Sequence, residues 1–163
     1  MLLAYSLIVL VIPSVSIQKM FEPQLKSAGI SGFALAKDPF VNLLLNNLLV
    51  MIVCFVLSLV YGAGAIIFLT WNASVWGVAF SYLSGSDFFR NIPGFLPHMS
   101  TEALAYISAA VVGGVVSKAV LREKLFSKKF NHILTDALII LTLGFFLVIA
   151  AGLIEILYYS FPA

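Results

Sequence analysis

The sequence predicts an all-α membrane protein, a polytopic bundle of transmembrane helices, and two observations predict it. Of the 163 residues, 62% are hydrophobic and only 10% are charged, and the mean hydropathy is +1.10. Soluble domains carry about 25% charged residues, so this chain lacks the polar surface to cover a fold in water. Several apolar runs also reach the ~20 residues that a helix needs to cross a hydrocarbon core.

Composition also excludes several functional classes. The net charge of +2 gives no indication of a nucleic-acid partner. Cys54 is the single cysteine and lies within an apolar run, so no internal disulfide can form and the residue is interpreted as part of the core. The sequence contains no catalytic triad and no phosphate-binding glycine loop. No cofactor is expected, apart from the divalent metal ion considered below.

Polar segments divide the chain into apolar blocks. Residues 1–17 are predicted as a first span, and a polar segment, residues 18–39, follows. Residues 40–84 would form a helix about twice as long as a bilayer core is thick, so this block has to turn. A turn at residues 62–64 is favoured because glycine permits the required backbone angles. A break at residues 70–72 is the alternative, and it would leave one long span followed by a short helix.

Two further spans complete a predicted total of five. Residues 86–97 are predicted as a polar connection, residues 95–120 as the fourth span, and residues 133–159 as the fifth. The segment between these last two spans is the most basic of the chain and is called the basic loop (residues 118–129). It contains Lys118, Arg122, Lys124, Lys128 and Lys129.

The positive-inside rule orients this multi-pass arrangement in the cell membrane. It places the basic loop in the cytoplasm. Counting back over five spans then places the N-terminus and the turn at residues 62–64 inside. Residues 18–39, residues 86–97 and the C-terminus are placed outside.

A pair of ionisable residues begins the predicted fourth span. His98 and Glu102 are four residues apart and therefore lie on one helix face, about one turn from each other. A ladder of small residues continues at the same spacing, and we name it the small-residue ladder: Ala105, Ala109, Gly113 and Ser117. Small residues at this spacing allow another helix to approach closely inside a membrane. We therefore expect the ladder to pack against a helix of this chain or of a second copy.

Polar residues of three predicted spans fall at a similar depth in the five-span topology: Asn46, Asn47, His98, Glu102 and Glu155. One interpretation is a structural polar cluster in which Glu102 accepts a hydrogen bond from Asn46 or from His98 and fastens helices together. A second is a proton or ion site, since ionisable groups within spans are costly unless paired or used. A third is a divalent-metal site with His98, Glu102 and Glu155 as ligands.

Several segments together carry a family resemblance. They are Asn46-Asn47, Gly62-Ala63-Gly64, Thr70-Trp71-Asn72, Leu96-Pro97-His98-Met99-Ser100-Thr101-Glu102 and Ala150-Ala151-Gly152-Leu153-Ile154-Glu155. In this pattern the chain resembles the stage II sporulation protein M family of integral membrane proteins over residues 42–160. Met99 and Ala73 stand where that family usually has glycine.

The resemblance implies a membrane scaffold or assembly protein. In spore formers the family protein resembles a scaffold for a cell-wall-degrading complex that remodels the septum. For this chain it implies that the partners are the lipid bilayer and other membrane proteins or further copies of itself. Two alternatives remain open: a transporter or channel for an ion or small solute, and an intramembrane metal-dependent hydrolase that uses His98, Glu102 and Glu155.

The orientation yields a labelling prediction. Single cysteines introduced at Ser86 and Lys124, in a Cys54→Ala background, should react with a membrane-impermeant thiol reagent from opposite sides of the membrane. The two positions flank one predicted span, and the basic residues fix which side is inside. Labelling of both cysteines from the same side would contradict the orientation.

Overall fold

The computed structural model of this protein describes residues 19, 21–23, 39–84 and 88–160. Within these residues the regular structure is helical, and four long helices follow one another along the chain. They are α1 (Pro39–Tyr61), α2 (Ala65–Ser84), α3 (Phe88–Arg122) and α4 (Lys128–Ser160). The predicted all-α class is confirmed for this part of the chain. The predicted first span, residues 1–17, lies outside the described residues.

A tight turn at residues 62–64 separates α1 from α2, which confirms the predicted break. Gly62 has a φ of 67°, in the left-handed region that glycine enters without steric cost. The backbone N–H of Ala63 donates to the carbonyl oxygen of Tyr61 at 2.8 Å. Helix α2 continues without interruption through residues 70–72, so the alternative break does not occur.

Helix α3 begins earlier than predicted. It starts at Phe88 and is 35 residues long, so the described part of residues 86–97 is helical and the prediction of a polar connection there was wrong. A proline removes only one backbone donor, and membrane helices tolerate this where other groups satisfy the backbone. Separately, the hydroxyls of Ser100 and Thr101 both donate to the carbonyl oxygen of Pro97, at 3.0 and 2.7 Å, a local side-chain bond common for these residues within helices.

The number of membrane spans also differs from the prediction. Three of the described helices contain stretches long and apolar enough to cross a membrane: Phe40–Tyr61, Phe95–Arg122 and Lys128–Leu157. Helix α2 contributes only a shorter apolar stretch, Ala65–Val78. Among the described residues the span count is therefore three to four, not five. The error came from dividing residues 40–84 into two full spans, although the second half is shorter and more polar.

The described chain divides into two compact units, and the larger one carries all the residues of the predicted polar cluster. We name it the bundle unit, and it consists of Phe40–Leu69 and Pro97–Ala163. The stretch Thr70–Leu96 belongs to the other unit. Within that stretch the hydroxyl of Ser74 donates to the carbonyl oxygen of Trp71 at 2.7 Å.

Helices α1 and α3 run parallel within the bundle unit. Asn47 contacts Glu102 near one end, and Phe55 lies against Gly113 further along both helices. Parallel neighbours require a connection that returns along their length.

Helix α4 runs antiparallel to α3. Ala137, in the first half of α4, forms a core cluster with Val112 and Val116 of α3. Gly144 lies further along α4 and faces Ala105, which comes earlier in α3. The three helices α1, α3 and α4 thus share one core.

Gly113 of the small-residue ladder packs against α1 of the same chain. A Cβ atom added at Gly113 would overlap the carbonyl oxygen of Phe55 and lie 2.9 Å from the Cβ of Ser58. Ala105 and Ala109 are fully buried. Backbones that approach this closely gain dispersion contacts, which drive helix association where lipid is as apolar as the side chains.

The connection between α3 and α4 is short and internally bonded. The Lys129 ammonium pairs with the Glu123 carboxylate at 2.5 Å. The Ser127 hydroxyl oxygen accepts the backbone N–H of Phe130 at 3.2 Å, as a residue that caps a helix N-terminus does. The acidic side chain of the basic loop is therefore already engaged within the loop.

The close contact at Gly113 yields a stability prediction with a matched control. Gly113→Ala should lower the melting temperature of the purified protein, because overpacking costs about 1–3 kcal/mol. That exceeds the gain of up to ~1 kcal/mol from replacing a helical glycine with alanine. Gly114→Ala should keep or raise the melting temperature, since a Cβ there meets only the Gly62 carbonyl oxygen, at 3.5 Å. Equal melting temperatures for the two variants would contradict the close contact.

Candidate functional site

The candidate site is a buried polar cluster near one end of the bundle unit. Asn47 comes from α1, and His98 and Glu102 come from α3. Each of the three is only 4% exposed. Polar side chains are seldom this buried unless they are paired, and in a membrane protein an ionisable one is a candidate for function.

A hydrogen bond between two helices organises this cluster. The side-chain amide of Asn47 donates to Oε1 of Glu102, and both groups are buried. Asn46 Nδ2 in turn donates to Asn47 Oδ1 at 3.3 Å. Asn46 itself is exposed, so this short chain of bonds leads from the surface of α1 to the buried carboxyl group.

His98 lies one helical turn before Glu102 and on the same face of α3. The hydrogen bond from Asn47 to Glu102 places this face against α1. The structure therefore brings together Asn46, Asn47, His98 and Glu102 at one end of the bundle unit. Sequence spacing predicted that His98 and Glu102 share a face. The predicted donors to Glu102 were Asn46 or His98, whereas the structure shows Asn47 donating to it.

Tyr106 belongs to the same cluster and was not among the predicted site residues. It is 1% exposed and lies one turn after Glu102. Its phenol is close enough to the carboxyl groups of Glu102 and Glu155 for both to act on it electrostatically. A usable signal was present in the sequence, since residues 98, 102 and 106 repeat at the helical spacing that defines one face.

Glu155 reaches the same end of the bundle unit from α4. Gly152, one turn earlier, lies against the rings and methyls of Phe40 and Leu43, near the beginning of α1. Glu155 is half-buried. The structure thus places it near Tyr106, while the direct helix-to-helix hydrogen bond of the cluster joins Asn47 and Glu102.

The metal interpretation finds no ready-made ligand set in this arrangement. Among residues 19, 21–23, 39–84 and 88–160, no three His, Cys, Asp or Glu side chains form a group that could hold a metal ion. Ligation by His98, Glu102 and Glu155 stays a prediction, to be tested by direct metal analysis.

The small-residue ladder extends away from this cluster along α3. Gly113 and the two alanines before it are buried against their neighbours, and Ser117 is half-buried. Ser117 lines an apolar groove near the basic loop. The polar cluster and Gly113 thus hold α1 and α3 together at successive levels, the first by a hydrogen bond and the second by close packing.

Comparison with known proteins identifies the family. The family model described as Stage II sporulation protein M matches residues 2–157, which is nearly the whole chain. The chain therefore belongs to this family, and the predicted resemblance over residues 42–160 is confirmed and extends towards the N-terminus. No curated protein and no solved structure matches the chain.

The hydrogen bond between Asn47 and Glu102 yields a double-mutant prediction. Asn47→Leu and Glu102→Leu should each lower the free energy of unfolding, because each leaves a buried polar partner unsatisfied. The double variant should lose less than the sum, by about 1 kcal/mol, within the range for bonds between membrane helices. Asn46→Leu is the control, since its exposed side chain should cost little. Strict additivity would show that the bond contributes nothing.

The structural and metal interpretations of the polar cluster predict different amounts of bound metal ion in the purified protein. If the cluster is structural, Glu102→Gln should reduce stability and leave the metal content of the purified protein unchanged. Near-stoichiometric zinc or another divalent ion in the native protein, lost in Glu102→Gln, would establish the metal site instead. Elemental analysis by mass spectrometry decides between them.

Proposed function

We propose that this member of the Stage II sporulation protein M family is a multi-pass cell-membrane scaffold. In this role it organises a membrane complex that remodels the cell envelope, and it performs no chemistry of its own. Family membership supports the membrane setting. The buried hydrogen bond between Asn47 and Glu102, which joins α1 to α3, supports a structural role for the polar side chains.

The observation that carries the proposal is how the interior of the bundle unit is filled. Next to the polar cluster, the core between the helices is made of Cys54, Ala109, Val148 and Ala151, all with no exposed surface. A solute path would need polar groups or water along its length. Close-packed apolar side chains instead favour a rigid body that presents its outer surface to partners.

The outer surface of α3 carries an exposed apolar face that a partner can contact. Leu104, Val111 and Val115 recur at helical spacing and are 46–59% exposed. Apolar side chains on a membrane helix contact either lipid or another transmembrane helix. In a scaffold, association through such a face uses packing and does not require charged groups.

A complementation experiment separates a scaffold from an enzyme or a proton path. In a host strain that lacks the gene, His98→Gln should restore normal envelope shape in proportion to its level in the membrane. A scaffold acts through its folded body, whereas a catalytic or proton-carrying histidine would be required even at full membrane level. Gly114→Ala is the control for expression. Loss of complementation by His98→Gln at a wild-type membrane level would contradict the proposal.

The size of the assembly gives an independent check. Extracted from the host membrane in mild detergent, the chain should migrate on a native gel in a larger particle than the same chain purified alone. Purified protein in liposomes should give no ion flux above that of empty vesicles. A particle no larger than the purified chain, or a flux abolished by Glu102→Gln, would count against a scaffold.

A further inference from the structure

The bundle unit contains an apolar groove that is separate from the polar cluster. Its volume is about 800 Å³, within the ~300–1,000 Å³ range of small-molecule sites. One wall is formed by the end of α1, the turn at residues 62–64 and the start of α2. The other wall is the stretch of α3 from Ile107 to Leu121. Small residues on both walls, Gly62, Ala110 and Gly114, leave the space between them.

The length of the groove along α3 matches the thickness of one leaflet of the hydrocarbon core. Along α3, the distance from Ile107 to Lys118 is about 16 Å at ~1.5 Å per residue. Half of a typical hydrocarbon core is ~15 Å. Both residues line the groove, which therefore extends from the level of the basic loop to roughly the middle of the bilayer.

The two ends of the groove differ in charge. Lys118 lines the end nearest the basic loop, and Arg122 follows one turn later on α3. The acidic residue of that loop, Glu123, pairs with Lys129 and so does not neutralise Lys118. At the deeper end the walls are apolar, and Ile66 and Val111 are 60% and 59% exposed.

We propose that this groove binds one anionic phospholipid from the leaflet that faces the basic loop. One acyl chain lies along the apolar walls, and the phosphate contacts the ammonium group of Lys118. The charge at the mouth, the apolar walls and the one-leaflet depth together match a lipid of this class. The groove includes Val111 and Val115, which also belong to the exposed face of α3, so a bound lipid would occupy part of that face. Lipid retention is measured on the purified chain, so its result does not decide the scaffold role.

Native mass spectrometry of the full chain tests the site. Protein is reconstituted in nanodiscs that contain equal amounts of phosphatidylglycerol and phosphatidylcholine, extracted in mild detergent, and weighed with its retained lipids. The wild-type chain should retain one phosphatidylglycerol molecule in preference to phosphatidylcholine. Equal retention of the two lipids, or retention of neither, would overturn the proposal.

Two pairs of variants locate the binding site. Lys118→Gln should reduce the retained fraction about fivefold, the factor expected from one basic residue at an anionic membrane surface, and Lys124→Gln should reduce it much less. Val111→Trp should fill the groove and reduce retention at least as strongly. Leu143→Trp, on an exposed part of α4 outside the groove, should not.

The same variants distinguish a defined lipid site from diffuse attraction to charge. Equal loss from Lys118→Gln and Lys124→Gln would indicate diffuse attraction to the basic loop and would overturn a defined site. So would a dimer without lipid, in which a second copy fills the groove. Melting temperatures of all four variants control for unfolding, and the lysine pair alone decides if Val111→Trp does not fold.

Discussion

Gly113 sets the distance between α1 and α3, and the rest of the bundle unit depends on that distance. Inside a bilayer, burial of apolar surface between helices gains little over burial in lipid, so helices associate through close packing and polar bonds. At Gly113 the backbone of α3 lies against Phe55 and Ser58 of α1. A side chain at this position would separate the two helices along their length and would also strain the hydrogen bond between Asn47 and Glu102.

These two contacts fix the register of the parallel pair. The hydrogen bond lies near one end of the stretch over which α1 and α3 are in contact. The contact at Gly113 lies about three helical turns further along. Sliding one helix by a single turn would remove both contacts and leave the carboxyl group of Glu102 without the Asn47 amide. Since a carboxyl group within a span is costly unless it is paired, the polar bond penalises the wrong register more than it stabilises the right one.

Much of this could be predicted from the sequence, and the failures have physical causes. Hydropathy predicted the helices, and Gly62 predicted the turn, because both depend on local composition. The beginning of α3 was misplaced because residues 86–97 were interpreted as a polar connection, although the helix starts at Phe88 and runs through Pro93 and Pro97. Tyr106 was missed because a tyrosine within an apolar helix resembles ordinary core until its neighbours are known. The groove could not be predicted, since it depends on how the end of α1 lies against α3.

The parallel arrangement of α1 and α3 gives the two ends of the bundle unit different chemistry. The polar cluster around Glu102 lies near one end, and Lys118 lies about 24 Å further along the same uninterrupted helix. A continuous helix fixed to α1 at Gly113 behaves as a rigid rod between these ends. A lipid held at Lys118 would therefore fix the depth and tilt of α3, and with them the level at which the exposed face of α3 meets a partner. In this way the charged end can orient a surface that itself carries no charge.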